Sequence, residues 1–300
     1  MQTQTIEAPS GRHGISQRNR QRLFLLHRGL QSPFTVEAAM ACWNMDRTET
    51  QRLLAHLAAQ GWLVRVMQGW YATVPLDAAQ PGLWRVEPWV VATKVFAPCY
   101  IGGWSACEHW GLTEQIFRSV VVFTAAAHLR TRRPQIQETE YVLKVVAQEK
   151  LFGTRAVWVA GQRVLVSDPS RTLIDVLDDP ATGGGIGQVA AVLAAYWEGE
   201  ARDETRLLLY AAQLGNKAVY KRLGYLVEAL GIEAPALVAV CRQEMSSGYA
   251  LLEPSGAAQG VRRRRWNLQL NRLLPAELRA CSVIGGAWCT LWASRTSCES

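Results

Sequence analysis

Arg47, Thr48, Thr50, Gln51 and Arg52 crowd into one short stretch of the chain. Their side-chain types are those that hold and read DNA. An arginine can make a bidentate contact to guanine and a glutamine to adenine, and threonine can meet the methyl group of thymine. Spacing tells how they are presented. Asp46 stands just before them and Glu49 three residues further on, the pattern of a capping box, in which each side chain satisfies a backbone N–H at a helix start. The helix therefore begins at about Arg47, and these polar side chains occupy its first turns. Leu53, Leu54, Leu57 and Ala58 recur at helical spacing to form its apolar face, and Gly61 supplies the stop.

Three neighbouring elements must position that helix. A helix from about Ser16 to Arg28, closed by Gly29, offers Leu23, Phe24 and Leu26 to a core. A second runs from Thr35 to about Trp43. After the third, strands at Trp62–Met67 and Trp70–Val74 flank Gln68-Gly69, a hairpin turn pair. Helix, turn, helix and hairpin in this order predict a winged helix-turn-helix over residues 1–74. In that architecture the second helix of the pair enters the major groove of double-stranded DNA. Arg47, Thr48, Thr50, Gln51 and Arg52 would then meet the groove, Arg65 and Gln68 of the wing would lie on adjacent backbone, and Arg18, Arg20 and Arg22 would add phosphate contacts. Charge has the required sign: before Pro75 eight arginines face only four acids. The same arginines could instead form a solvated face on a module that binds protein.

Other residue groups carry a weaker signal for catalysis. Ser167, Asp168, Arg171 and Asp175 could suggest acid–base chemistry. However, Asp168 before Pro169 is a helix start, and Arg171 and Asp175 are spaced to pair on one helical face. Gly183-Gly184-Gly185-Ile186-Gly187 lacks the Lys-Ser/Thr of a phosphate loop and no strand directly precedes it. The five histidines show no metal-ligand spacing, and His109 reads as a packed surface residue. Lys217, Lys221 and Arg222 form a basic stripe at helical spacing, a candidate antitoxin or nucleic-acid surface if it is not simply solvated. No catalytic residue, metal or cofactor is expected.

The chain has 300 residues, a net charge of +7 and 49% hydrophobic residues, enough for two domains with large cores. Seven cysteines without a C-x-x-C pair read as thiols, with Cys42, Cys99 and Cys107 in apolar surroundings. No signal peptide or membrane span is legible, so a cytoplasmic protein is expected. Three prolines and a glycine mark a linker at 75–88. Beyond it, alternating strand and helix patterns predict a larger mixed α+β domain at 89–271, so the whole is of the α+β class. Within that domain Ser105 with Glu108 reads as another capping box. Residues 272–300 have no clear period and are expected to lie outside the fold.

The blocks TVEAAMACWNMDRTETQRLLAHLAAQGWLVRVMQGWYATVP, YIGGWSACEHWGLTEQIFRSVVVFT, VLVSDPSRTLIDVLDDPATGGGIGQVAAVL and KAVYKRLGYLVEALG, in this order, carry a resemblance. The chain resembles the AbiEi-type antitoxins of type IV toxin–antitoxin, abortive-infection systems over about Ile15 to Asn271. The resemblance implies an N-terminal DNA-binding domain that represses its own operon. It also implies a C-terminal domain that counteracts a nucleotidyltransferase toxin, with or without direct binding. A homodimer on DNA is compatible with it. Two alternatives belong to other classes: a winged-helix regulator whose second domain senses an effector or dimerises, and a nuclease tethered to a reader. The absence of a PD…ExK array of acids argues against the nuclease.

Overall fold

The structure, a computed structural model, describes residues 14–127 and 131–275. Arg12, His13, His128, Arg130 and the chain after Pro275 lie outside the described residues, as do Cys281, Cys289 and Cys298. The fold is mixed α+β, as expected, with helices and three sheets. The described residues form two compact units.

The first unit takes in the described residues of Met1–Ile101, with Arg118–Gln148 and Ala156–Leu165. It opens with α1 (Gln17–Gly29), β1 (Phe34–Thr35), α2 (Val36–Trp43), α3 (Arg47–Ala59), β2 (Leu63–Met67) and β3 (Trp70–Thr73). Local chemistry sets the helix starts. The Ser16, Thr35 and Asp46 side chains accept from the backbone N–H of Asn19, Ala38 and Glu49 respectively. Asn44 adopts the left-handed conformation and turns the chain from α2 into α3. The two-residue β1 was not expected; it pairs antiparallel with β3, giving a sheet of order β1-β3-β2. Leu23, Leu26, Ala39, Trp43, Leu54, Leu57 and Leu63 close the core between helices and sheet. Leu54 and Leu57 are fully buried, each worth roughly 1.5–3 kcal/mol. Phe24, expected in this core, is instead 59% exposed, because one step past Leu23 turns its side chain away from the apolar face.

Residues 75–88 lie inside this first unit. They carry a 3₁₀ turn at Pro81–Leu83 and a buried Val86, whose N–H donates to Gln137 Oε1 at 3.1 Å. Then come α4 (Pro88–Val95) and β4 (Cys99–Ile101). After α5 (Gly103–His109), which belongs to the second unit, follow β5 (Ser119–Thr124), β6 (Gln135–Ile136), β7 (Thr139–Val145), β8 (Thr154–Val159) and β9 (Gln162–Ser167). They make a six-stranded sheet of order β6-β7-β5-β4-β9-β8, parallel between β5 and β7 and antiparallel between β4 and β5.

The second unit takes in Gly102–Phe117, Glu149–Arg155 and the described residues from Val166 on. Its helices are α5, α6 (Pro169–Asp178), α7 (Ile186–Glu198), α8 (Glu204–Leu214), α9 (Lys217–Ala229) and α10 (Pro235–Glu244). A small sheet of order β10-β12-β11 joins β10 (Ala250–Leu251), β11 (Val261–Arg263) and β12 (Leu268–Leu270). The capping box expected at Ser105 is not there: α5 begins two residues earlier, behind Gly102, and Ser105 is buried within it. Gly224 on α9 lies against the buried Trp266 ring so closely that a Cβ would not fit. Leu274 is buried in this core, so the residues just after Asn271, expected outside the fold, take part in it. Among the described residues no helix is long and apolar enough to cross a membrane.

Candidate nucleic-acid interface

The Asp46 cap and the apolar face together decide which side chains of α3 are free. Thr50, Leu54 and Leu57 follow one another at steps of four and three, and all three are fully buried. Arg47, Thr48, Gln51 and Arg52 are exposed. Four of the five α3 residues expected at the groove are therefore presented to solvent. Thr50 is corrected: its face is the core face, and no base edge can reach it. Its Oγ1 is buried without a hydrogen-bond partner among the described residues. Thr50→Val is accordingly expected to leave DNA affinity unchanged and to raise stability by about 1 kcal/mol, since a desolvated, unbonded hydroxyl is removed. Thermal unfolding and anisotropy on the same sample check both halves.

Arg47 Nη1 sits 2.9 Å from Glu37 Oε1 on α2, with both side chains about 60% exposed. Such a pair holds little energy in water, so the Arg47 side chain can leave it at little cost. Thr35 and the N-terminal backbone of α2 also bond the Glu37 carboxylate; these bonds, its own backbone N–H first, draw its pKa below the ordinary value.

Arg65 is exposed on β2, opposite Tyr71 of β3, and a register shift between Arg65 and Met67 twists the hairpin. Gln68 is exposed at the turn, where Gly69 takes a φ of +80°. Arg65→Ala is expected to weaken binding to every sequence alike and to lower the salt slope by about one unit. A salt series on two unrelated duplexes measures it; lost sequence preference with an unchanged slope would make Arg65 a base reader.

α1 brings two of its four arginines to α3. Arg18 and Arg22 line a hollow of about 390 Å³ together with Arg52 and His56. Met45, Glu49 and Leu53 complete its wall. Arg20 is two residues from Arg18, about 200° around the helix, and does not line it. Trp43 Nε1 donates to the Arg22 carbonyl at 2.9 Å and fixes this turn of α1 against the end of α2. His56 and Glu49 were missed as members of this group. The signal available was the four-residue spacing of Arg18 with Arg22 and of Arg52 with His56.

The basic stripe expected at Lys217, Lys221 and Arg222 is corrected by burial. Lys221 and Arg222 are 2% and 3% exposed. Lys221 Nζ donates to the Gly248 carbonyl, and burial lowers its pKa. Arg222 donates to the carbonyls of Leu177 at 2.7 Å, Asp178 at 3.1 Å and Leu252 at 3.2 Å. These two cations tie helix and strand ends together inside the second unit. Only Lys217 is at the surface, paired with Glu244 at 2.7 Å.

Asp168, Arg171 and Asp175 have structural partners. Asp168 caps α6, accepting from the Arg171 N–H at 2.9 Å, and receives the Tyr210 hydroxyl at 2.8 Å. Arg171 Nε meets Asp175 Oδ1 at 2.9 Å with both side chains 1% exposed. At the glycine run, Glu253 Oε2 accepts from the Ile186 N–H at 2.7 Å, so a carboxylate of the chain itself occupies the start of α7. Cys107 and Cys241 are buried, whereas Cys42 and Cys99 are half-buried. Burial pushes the Cys99, Cys107 and Cys241 thiols up to about 12, which removes their thiolates at neutral pH. No group of side chains with metal-binding geometry is found among the described residues.

No protein-family model matches the chain, and no curated protein matches it.

Proposed function

We propose that the chain binds double-stranded DNA upstream of its own gene, represses that operon, and counteracts a nucleotidyltransferase toxin. Residues 14–74 act as a winged helix-turn-helix, with α3 in the major groove and the β2–β3 hairpin as the wing. The observation that carries this reading is the outward face of α3. Arg47, Thr48 and Gln51 are exposed in the first turns after the Asp46 cap, with the basic Arg65 on the hairpin that follows. A helix start so capped, with free base-reading side chains and arginines on the flanking elements, has the chemistry that groove recognition needs. The antitoxin role rests on the resemblance to AbiEi-type antitoxins.

The test is co-expression of the full chain, from an unrelated promoter, with the nucleotidyltransferase encoded beside its gene. Growth is expected to be rescued by the wild type and by an Arg47→Ala/Gln51→Ala variant, because neutralisation is assigned outside α3. Rescue by neither would remove the antitoxin role. Rescue by the wild type alone would make neutralisation depend on the DNA-binding face.

A further inference from the structure

The exposed surface of α3 has two flanks of different chemistry. At about 100° per residue, Arg47, Thr48 and Gln51 fall within one arc, and Glu49, Arg52 and His56 within another centred about 130° further round. The second flank faces α1 across the hollow that Arg18 and Arg22 line from the other side. We infer that this hollow seats one phosphate of the DNA backbone, so that Arg52 is a phosphate anchor and not a base reader. The inference rests on the DNA-binding reading and divides its residues into two classes.

Three arginines from two helices line it, with Glu49 as the single acidic residue among the lining. Guanidinium groups bond phosphate oxygens in pairs, through parallel N–H donors. Met45 and Leu53 supply an apolar part of the wall. The Trp43–Arg22 hydrogen bond and the shared core hold α1 at a fixed place beside α3. The two arginine sets therefore meet a phosphate without reordering the helices. A phosphate held there fixes the depth and rotation of α3, leaving base choice to Arg47, Thr48 and Gln51.

The experiment uses the full chain and two duplexes, the DNA upstream of its gene and a scrambled version, in anisotropy titrations over a salt series. Arg52→Ala and Arg22→Ala are each expected to weaken both duplexes equally, by about tenfold, and to lower the salt slope by about one unit. Arg52→Lys should keep most of the affinity, since a point charge still meets a phosphate. Arg47→Ala is the contrast: it should reduce the preference between duplexes. If Arg52→Ala erodes the preference at an unchanged salt slope, or Arg22→Ala changes nothing on either duplex, the phosphate seat is wrong. Inorganic phosphate, at matched ionic strength, is expected to compete with DNA more strongly on the wild type than on Arg52→Ala, and equal competition on both would also overturn the seat. If the wild type shows no preference between duplexes, the repressor reading fails, while equal losses in both arginine variants would still support the seat.

Discussion

Asp175→Ala is expected to destabilise the chain by about 3–5 kcal/mol, because it leaves the Arg171 charge buried without its carboxylate. Arg171 and Asp175 are each 1% exposed, and the guanidinium also lies 3.9 Å from the centre of the Phe152 ring and donates to the Lys150 carbonyl at 3.2 Å. Removing both charges at once is a different perturbation. Arg171→Met with Asp175→Leu replaces a desolvated ion pair by apolar side chains of similar bulk, and its stability should return to within about 1–2 kcal/mol of the wild type. Denaturant unfolding of the single and double variants measures both. The pair also tests whether acid–base chemistry resides at α6. Rescue from the toxin by the folded double variant supports a structural pair. A double variant that is stable yet inactive in rescue would give these two residues a functional role.

The second large effect is on DNA. Arg47→Ala and Gln51→Ala should each weaken binding to the upstream duplex by about 1–3 kcal/mol, the usual worth of a good base contact. Both residues are exposed and neither belongs to the Leu54–Leu57 face, so unfolding temperature should hold. Arg47 must release Glu37 to reach DNA, but an exposed pair of this kind gives back only about 0–1 kcal/mol. The two side chains are one helical turn apart, so their effects in the double variant need not add. Unchanged affinity in both single variants would take α3 out of the groove.

What could be read from the sequence was local. The Asp46 and Asp168 caps and the turn at Gln68-Gly69 follow from residues a few positions apart, and each lies where its spacing placed it. Thr50 was also within reach. It leads Leu54 and Leu57 at helical spacing, and counting it with the apolar face would have placed it inside. Ser105 shows the opposite failure, a capping pattern overridden because Gly102 allows the helix to start earlier and packing buries the serine. Lys221 and Arg222 could not be placed from their own helix. Their partners are carbonyls of residues 177–178, 248 and 251–252, and only the assembled second unit brings these together. The hollow beside α3 is of the same kind, since it joins side chains from α1 and α3 that are some thirty residues apart in the chain. The compact units are discontinuous in sequence, a division that prolines and composition shifts along the chain cannot express.

The most direct test is the affinity of the full chain for the DNA immediately upstream of its own gene. It is measured by fluorescence anisotropy at near-physiological salt against a scrambled duplex of equal length. The upstream duplex is expected to bind at least about 10³-fold more tightly, the lower end of specific over non-specific recognition. The Arg47→Ala/Gln51→Ala variant is expected to lose most of that ratio. Equal affinity of the wild type for the two duplexes, or binding to neither, would contradict sequence-specific recognition by α3.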